Sequence, residues 1–470
     1  MEKLNLFFVL GLAFFVGCKN TDAQQTKTPQ SFNKNVDLDH LDINTDKIAD
    51  IDSLLQSYTD TKKLNGVTAF VAKGGNVIYN KAFGLKDVEN NIPAAVGDYY
   101  VLFSQTKAIT TVALMTLVDK GLVAVDDPVS KYFPEIPDQV VTKVNDDGTY
   151  ETRPVKAPMT FAHLMSHSSG LNAGLVSEIR KKENRKSTDL SEFGKIDSTQ
   201  TYNGQRSFGG NPDSKYLKEE MMDLVRYPLG FDPGSEWNYH VSTNMLAYMV
   251  ERISGKSLQE YVKETILEPL GMKHTDWFYE PAQLSKFKTL QPLGMKHTDW
   301  FYEPAQLPKF VKPYSAVDGK LEPGSTMFAE GAVSSEQTYA EGAIGLNGPI
   351  EDYAKFCQML LNKGEFNGNR ILKPETIAQM TTVNRLPEVN SGGPSFQFGL
   401  GFQLANEKNK HIKKVSNSAF WWGGMMGTEY IIDPENDLIA LFYINMYKRD
   451  DLYAQYLEEV YDVLETPKTN

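Results

Sequence analysis

The sequence of 470 residues is poor in the residue types that hold metals and disulfides. Its two cysteines, Cys18 and Cys357, cannot form a disulfide framework or a cysteine-based zinc site. The seven histidines are scattered. His163 and His167 have the i, i+4 spacing of a metal pair, but no acidic residue completes the motif, so we interpret them as structural. No metal or organic cofactor is predicted.

The sequence also lacks blocks of like charge. It has 48 basic and 60 acidic residues, which gives a net charge of −12. Phosphate groups are bound by clustered Lys and Arg side chains. The composition therefore disfavours a role on nucleic acid or on anionic membranes.

Apolar runs long enough to span a bilayer are missing too. The N-terminal run Leu6–Val16 falls short of the roughly 20 residues that a membrane helix needs. Because Lys3 precedes it and Cys18 follows it, residues 1–18 predict a lipoprotein-type export signal, with Cys18 lipidated after cleavage. Cleavage near Ala23 would instead leave a soluble periplasmic protein. In both cases we expect export, to the periplasm or, for a lipoprotein, to the outer membrane or cell surface.

What the sequence does contain is material for a core. It is 41% hydrophobic and 11% aromatic, which excludes wholesale disorder. Residues 19–45 are polar and predict a flexible tether, and residues 46–464 predict one domain. Strand patterns at 66–82, joined by a Gly-Gly turn, and at 428–445 stand near its two ends, with helical patterns between and after them.

This order of elements predicts an α+β sandwich. An antiparallel sheet built from both ends of the domain would be flanked by helices. Residues of about 125–330 would form an inserted, mostly helical lobe, in which the polar segment 137–230 predicts loops and short helices over a site.

One segment of the lobe occurs twice. The sixteen residues PLGMKHTDWFYEPAQL stand at 269–284 and again at 292–307. A solenoid would need three or more diverged repeats. We therefore interpret 269–307 as a recent tandem duplication or a sequence-assembly artefact, and we predict that it loops out.

The pattern Ser-x-x-Lys occurs three times, at Ser31, Ser104 and Ser285, so the spacing alone is weak. Only Ser104 lies where a short apolar segment meets a long apolar helix, predicted over 104–120. There its hydroxyl would face free backbone N–H groups at the positive end of the helix dipole. Lys107 follows on the same face, and burial would lower its pKa and let it accept the serine proton. The alternative is an N-cap serine with a lysine that reaches solvent.

Three further segments follow Ser104-Gln105-Thr106-Lys107 in the chain: residues 160–171 (TFAHLMSHSSGL), residues 233–243 (PGSEWNYHVST) and Trp422-Gly423-Gly424. In this order, the four segments resemble those of the serine β-lactamase-related family of class C β-lactamases, low-molecular-weight penicillin-binding proteins and family VIII esterases. The first segment resembles the nucleophile motif of that family, and the last stands where the family has Lys-Thr-Gly, His-x-Gly or Trp-Gly-Gly. The resemblance covers about residues 50–462 and implies the β-lactamase/penicillin-binding-protein-like fold.

The resemblance implies a serine hydrolase that forms an acyl-enzyme. Ser104 is the implied nucleophile, and Lys107 with Tyr239 the implied base pair, which shares a proton and in which the ammonium favours the phenolate. The backbone N–H groups of Ser104 and Met425 are the implied oxyanion hole. Trp422, Gly423 and Gly424 are the implied substrate-binding residues.

Two positions depart from the lactamase pattern. Val241 stands where lactamases and penicillin-binding proteins usually have Asn, and Trp422 where they have a cation that helps hold a substrate carboxylate. Both changes occur in the esterase-like branch. We therefore expect an exported serine esterase acting on a small or carbohydrate-linked ester.

Two alternatives stay open. One is a β-lactamase or D-alanyl-D-alanine carboxypeptidase-like enzyme, and the other is a non-catalytic relative that binds cell-wall or carbohydrate material. The predicted partner is a small-molecule ester or amide, with no nucleic acid, and with membrane contact only through an N-terminal lipid anchor. The sequence leaves acyl and alcohol specificity and oligomeric state open.

Overall fold

The computed structural model describes residues 31–183, 216–278, 309–327, 329–330, 339–388, 390–393, 395–447 and 452–465. The predicted export signal with Cys18, residues 19–30 of the predicted tether, and the second copy of the duplication at 292–307 lie outside these ranges. In the described part of the chain, no helix has the length and apolarity needed to cross a membrane.

The strands come from the whole length of the described chain. They are β1 (Gly66–Lys73), β2 (Asn76–Asp87), β3 (Ile92–Pro93), β4 (Tyr100–Val101), β5 (Gln139–Val144), β6 (Tyr150–Pro154), β7 (Tyr314–Val317), β8 (Lys320–Pro323), β9 (Asn347–Gly348), β10 (Glu365–Phe366), β11 (Asn369–Arg370), β12 (Gln403–Leu404), β13 (Phe420–Gly424), β14 (Thr428–Asp433) and β15 (Leu438–Tyr443).

The helices of the described ranges lie mostly, in sequence, between the N-terminal strands β1–β2 and the C-terminal strands β12–β15. They are α1 (Ile48–Asp60), α2 (Thr106–Asp119), α3 (Phe161–Met165), α4 (Ala173–Lys182), α5 (Leu217–Leu224), α6 (Val241–Ser254), α7 (Leu258–Val262), α8 (Glu268–Leu270), α9 (Ile350–Leu361), α10 (Pro374–Thr381) and α11 (Tyr453–Val463). A π-helical turn at Lys263–Leu267 joins α7 to α8.

A seven-stranded antiparallel sheet forms the centre of the fold, in the order β12-β13-β14-β15-β1-β2-β3. The C-terminal strands thus pair directly with the N-terminal hairpin, as the sequence predicted. Strand β15 is buried at every residue, because helices cover both faces of the sheet. The α+β sandwich is confirmed.

The two faces of the sheet have separate cores. Trp421 and Ile431 point to the face covered by α1 and α11, whereas Tyr430 points to the face of α2 and α9. Helix α2 is buried at every position from Thr106 to Leu117, which explains its lack of a polar stripe. The helix ends at Asp119, and Gly121 follows at the C′ position, where its φ of 71° is the left-handed conformation that glycine favours.

The lobe contains more strand structure than the sequence indicated. Residues 139–154, predicted as loops and short helices, form the hairpin β5–β6. Most side chains of these strands are exposed or half-buried. A strand without an apolar face has little period-2 signal, so the hydrophobic pattern could not reveal it.

The described part of the predicted tether is packed against the domain. The ring of Phe32 lies 5.2 Å from the rings of Phe70 and Phe366, measured between centroids. The N–H of Asn33 donates to the carbonyl of Gly75 over 3.0 Å, and Ile43 is buried. Residues 31–45 are therefore a docked arm and not a flexible tether. This segment is mostly polar, and a few contacts hold it against the domain.

The first copy of the duplication is part of the core as far as it is described. Trp277 is 0% exposed, and its indole N–H donates to the carbonyl of Glu341 over 2.8 Å. Asp276 forms an antiparallel bridge with Asn347. The expectation that the duplication loops out is therefore wrong for residues 269–278.

Trp277→Ala should destabilise the protein by about 3–5 kcal/mol, because it empties a fully buried site and removes a hydrogen bond. Urea unfolding followed by far-UV circular dichroism measures this free energy of unfolding. Trp300→Ala is the matched control, since the duplication places Trp300 in the same sequence context. A Trp277→Ala variant as stable as the unmodified protein would contradict the assignment of the first copy to the core.

Candidate active site

Ser104 lies in a tight turn at the beginning of the central helix. The 3-10 turn Phe103–Gln105 leads directly into α2. Phe103 has a φ of 46°, a value that non-glycine residues seldom adopt. The turn is held from two sides: Leu102 donates its N–H to the carbonyl of Leu346 over 2.9 Å, and Tyr353 donates its hydroxyl to the carbonyl of Gln105 over 3.0 Å.

Lys107 is buried beside the serine. The residue is only 2% exposed, and its Nζ lies 3.1 Å from Ser104 Oγ. The same Nζ lies 2.8 Å from the carbonyl oxygen of Ala343 and 3.3 Å from His240 Nδ1. Desolvation lowers the pKa of Lys107 well below its usual range, although the charge of Glu341 opposes part of this shift. The environment therefore favours a neutral amine.

Tyr239 closes the site from the loop before α6. Lys107 Nζ lies 4.6 Å from the centre of its ring, and Trp422 Nε1 donates to its hydroxyl over 2.9 Å. Desolvation raises the pKa of Tyr239, and hydrogen bonds with Ser104 and Trp422 oppose the rise without cancelling it. Burial thus favours the neutral form of each of these two side chains taken singly. The shared proton of the Lys107–Tyr239 pair stays a prediction of the resemblance.

The end of β13 lies against the turn that carries the serine. A Cβ added to Gly424 would stand 2.5 Å from the carbonyl oxygen of Leu102, so this approach requires glycine. Thr428 Oγ1 donates to the same carbonyl over 3.3 Å. These contacts bring the backbone of Met425, which follows Gly424 directly, to the neighbourhood of Ser104.

The structure brings most of the predicted site residues together. Contacts run from Ser104 to Lys107, from Lys107 to Tyr239 and from Tyr239 to Trp422, and Gly424 borders the turn that carries the serine. Gly423 does not face the site. It pairs with Glu429, whose carboxylate fills the space beside it on the face of Trp421.

Three residues next to these were not predicted. His240 follows Tyr239 in the sequence, and its position one residue after the tyrosine was the only available signal. Ala343 contributes a backbone carbonyl, which no sequence pattern marks. His167 was interpreted as structural, yet its ring lies 4.7 Å from the ring of Tyr239, and burial lowers its pKa well below the usual range.

His163, its partner in the i, i+4 pair, has a capping role. The backbone N–H of Thr160 donates to His163 Nδ1 over 3.1 Å, which completes a capping box at α3. Among the described residues, no three His, Cys, Asp or Glu side chains are grouped to hold a metal ion.

Aromatic rings form the border of the site next to Tyr239. Trp237 stacks on Tyr239 at 5.6 Å between centroids, and Phe396 contacts Trp237 at 4.7 Å. Phe398 contacts Trp422 edge-on at 5.1 Å. A reacting group at Ser104 would therefore meet mostly apolar surface on this side.

Comparison with known proteins identifies the family. Residues 51–461 match the sequence model of the family described as Beta-lactamase. The chain belongs to the β-lactamase family. The resemblance drawn from the four sequence segments is confirmed.

Esterases are among the relatives of this family member. The chain is 25% identical over 405 residues to "Esterase EstB" of Burkholderia gladioli, covering 84% of this chain and 90% of that protein. It is 29% identical over 419 residues to the "Lovastatin esterase" of Penicillium rubens, covering 83% and 91%. The solved structure of "EstCE1, a hydrolase with promiscuous acyltransferase activity" aligns with a TM-score of 0.65 at 20% identity, over 89% of this chain and 99% of that one, and shows the shared fold.

The buried amine should make stability depend on pH. The pKa of Lys107 is lower in the folded state than in the unfolded chain, so between these two values the unfolded chain binds more protons. Stability therefore rises with pH in this window, by up to about 1.4 kcal/mol per pH unit. Relative to Lys107→Met, the unmodified protein should therefore gain stability as the pH rises toward the ordinary lysine pKa of about 10.4.

Urea unfolding of both proteins across this range measures the difference. Lys120→Met, which removes an exposed lysine at the end of the same helix, controls for the loss of one positive charge. If the difference in free energy of unfolding between the Lys107→Met variant and the unmodified protein stays constant with pH, the folded site does not shift the pKa of Lys107.

Proposed function

We propose that this member of the β-lactamase family is a serine hydrolase that cleaves small esters through an acyl-enzyme on Ser104. The observation that carries the proposal is the 3.1 Å contact between Ser104 Oγ and the buried Nζ of Lys107. A serine hydroxyl is a weak nucleophile until a neighbouring base takes its proton. A desolvated lysine next to the hydroxyl is such a base.

The acylation step follows from this contact. The oxygen of Ser104 forms a bond to the ester carbonyl carbon while its proton moves to Lys107, and the carbonyl electron pair becomes an oxyanion. The backbone N–H groups of Ser104 and Met425 would stabilise that oxyanion, each contributing about 10²–10³ in rate. When the oxyanion collapses, the C–O bond to the alcohol breaks, and the phenol of Tyr239 gives its proton to the leaving oxygen. The phenolate then regains a proton from the Lys107 ammonium, so that both groups are neutral again before water attacks. Water then releases the acid by the reverse sequence.

The surroundings of the site support an ester over a β-lactam or a peptidoglycan stem. Trp422 occupies the position at which lactamases have a cation, and its indole N–H is already engaged with Tyr239. Val241 is buried and has no hydrogen-bonding group in its side chain. Together with the aromatic border, these residues favour an apolar acyl or alcohol group over a carboxylate.

The esterase relatives support the same choice. EstB and the lovastatin esterase are named for ester cleavage, and the chain covers most of the length of both. The β-lactamase or carboxypeptidase reading and the non-catalytic reading are the alternatives that the following experiment separates.

Ser104→Ala should lower the turnover of p-nitrophenyl esters at least about 10³-fold, because it removes the nucleophile. The test uses residues 24–470, with acetate, butyrate and octanoate esters beside a chromogenic cephalosporin. Intact mass reports an acyl adduct on the unmodified protein. Ester cleavage with a preference for the longer acyl groups, and with little cephalosporin cleavage, is the expected result.

Ser31→Ala is the matched control, since Ser31 stands in the same Ser-x-x-Lys pattern but is exposed on the docked arm. Rapid cephalosporin cleavage would favour the lactamase alternative. A folded protein with neither turnover nor an adduct would favour the binding alternative.

We also propose that the protein is exported as a lipoprotein anchored through Cys18, on the basis of its N-terminal sequence. In an E. coli expression host, Cys18→Ala should move the protein from the membrane fraction to the soluble periplasmic fraction, because the lipid-bearing thiol is lost. Immunoblots of the fractions, with and without radiolabelled palmitate, measure this. Unlabelled wild-type protein in the periplasm would instead favour cleavage near Ala23.

A further inference from the structure

Lys107 Nζ has three neighbours at hydrogen-bonding distance, although the reaction needs only one of them. Ser104 Oγ lies at 3.1 Å, the carbonyl oxygen of Ala343 at 2.8 Å and His240 Nδ1 at 3.3 Å. A neutral primary amine has two N–H groups and one lone pair. A carbonyl oxygen can only accept, so Ala343 takes one N–H. Whichever atom takes the second N–H therefore decides where the lone pair points.

We propose that His240 is a positioning residue for the serine–lysine pair: its Nδ1 accepts the second N–H of Lys107, so that the lone pair of the amine faces the hydroxyl of Ser104. This inference rests on the proposed attack by Ser104. The neighbouring Val241 has no side-chain acceptor for this bond.

The backbone holds His240 in this position against strain. His240 immediately precedes α6 and has a φ of 107° and a ψ of −75°. Such a conformation is unfavourable for a non-glycine residue and persists only where other contacts fix it. Its N–H donates to His167 Nδ1 over 3.4 Å, and the carbonyl of His167 accepts the N–H of Asn238 over 2.8 Å. The strained conformation directs the imidazole toward Lys107.

The first turn of α6 also fixes the other acceptor. Asn244 Oδ1 accepts the N–H of Ala343 over 2.9 Å, and Asn244 Nδ2 donates to the buried carboxylate of Glu220 over 3.4 Å. Tyr339 donates its hydroxyl to the same carboxylate over 2.6 Å. One end of one helix therefore controls both groups that accept from the lysine.

The arrangement also suits the state after proton transfer. When the proton of Ser104 moves to Lys107, the resulting ammonium has three N–H groups, and the three neighbouring atoms can accept all of them. No side chain has to turn. Burial lowers the pKa of both His240 and His167, which keeps the two imidazoles neutral and able to accept. Glu341 and Tyr239 are the other titratable groups that face Lys107, and the charge of Glu341 stabilises the ammonium.

Two substitutions separate positioning from a structural role. His240→Asn keeps an acceptor, because the amide oxygen can occupy the position of Nδ1, and Asn tolerates positive φ. His240→Gly removes the acceptor but suits the backbone conformation better than histidine does. The readouts are the acylation rate constant from the p-nitrophenol burst, KM, and the thermal midpoint.

We expect His240→Gly to lower the acylation rate constant by about 10–100-fold with little change in KM, because the lone pair of Lys107 is no longer held toward the hydroxyl of Ser104. His240→Asn should recover most of that loss. Both variants should melt no lower than the unmodified protein by more than a few degrees. If the glycine variant acylates at the unmodified rate, or if the asparagine variant is as slow as the glycine variant, the proposal is overturned. If the unmodified protein itself shows no Ser104-dependent burst, the proposed function fails first and independently.

Discussion

Burial of one amine is the constraint on which the site depends. Removing the side chain of Lys107 from water costs free energy unless polar atoms receive its N–H groups. The polar neighbours of Lys107 Nζ come from three parts of the chain: the turn with Ser104, the residue before α6, and the segment with Ala343. Helix α2 cannot supply them alone, since its other faces are packed with apolar side chains. The assembly of the site is thus coupled to the packing of α2 against α6 and against the segment that leads to α9.

The same packing defines what the site can bind. Alternation along β13 points Trp421 to the core behind the sheet and Trp422 to the side of the serine. With its indole N–H bound to Tyr239, Trp422 presents a ring where a cation would attract a carboxylate. The aromatic contacts that continue through Trp237 extend this apolar border. Under the proposed function, this border would make recognition depend on shape and hydrophobic contact more than on charge.

Three residues with an unusual backbone conformation border the site. Phe103, His167 and His240 all have positive φ values, of 46°, 59° and 107°. Phe103 directly precedes Ser104. The ring of His167 contacts the ring of Tyr239, and His240 directly follows Tyr239. Conformations of this kind reduce stability, and they persist because hydrogen bonds and buried rings fix them. These conformations orient the side chains of the site, and the cost is a lower stability of the folded protein.

The sequence determined the parts of this protein that depend on local pattern. The Gly-Gly hairpin, the apolar helix behind Ser104, the antiparallel sheet closed by both ends of the domain and the family itself could all be predicted, because periodicity and motif order are local properties. Tertiary structure decided the rest. The docking of residues 31–45, the core position of Trp277 and the partners of Lys107 arise between residues that are distant in the chain. The shifts in the pKa values of Lys107 and Tyr239 are caused mainly by desolvation, which arises only once the surrounding elements have packed.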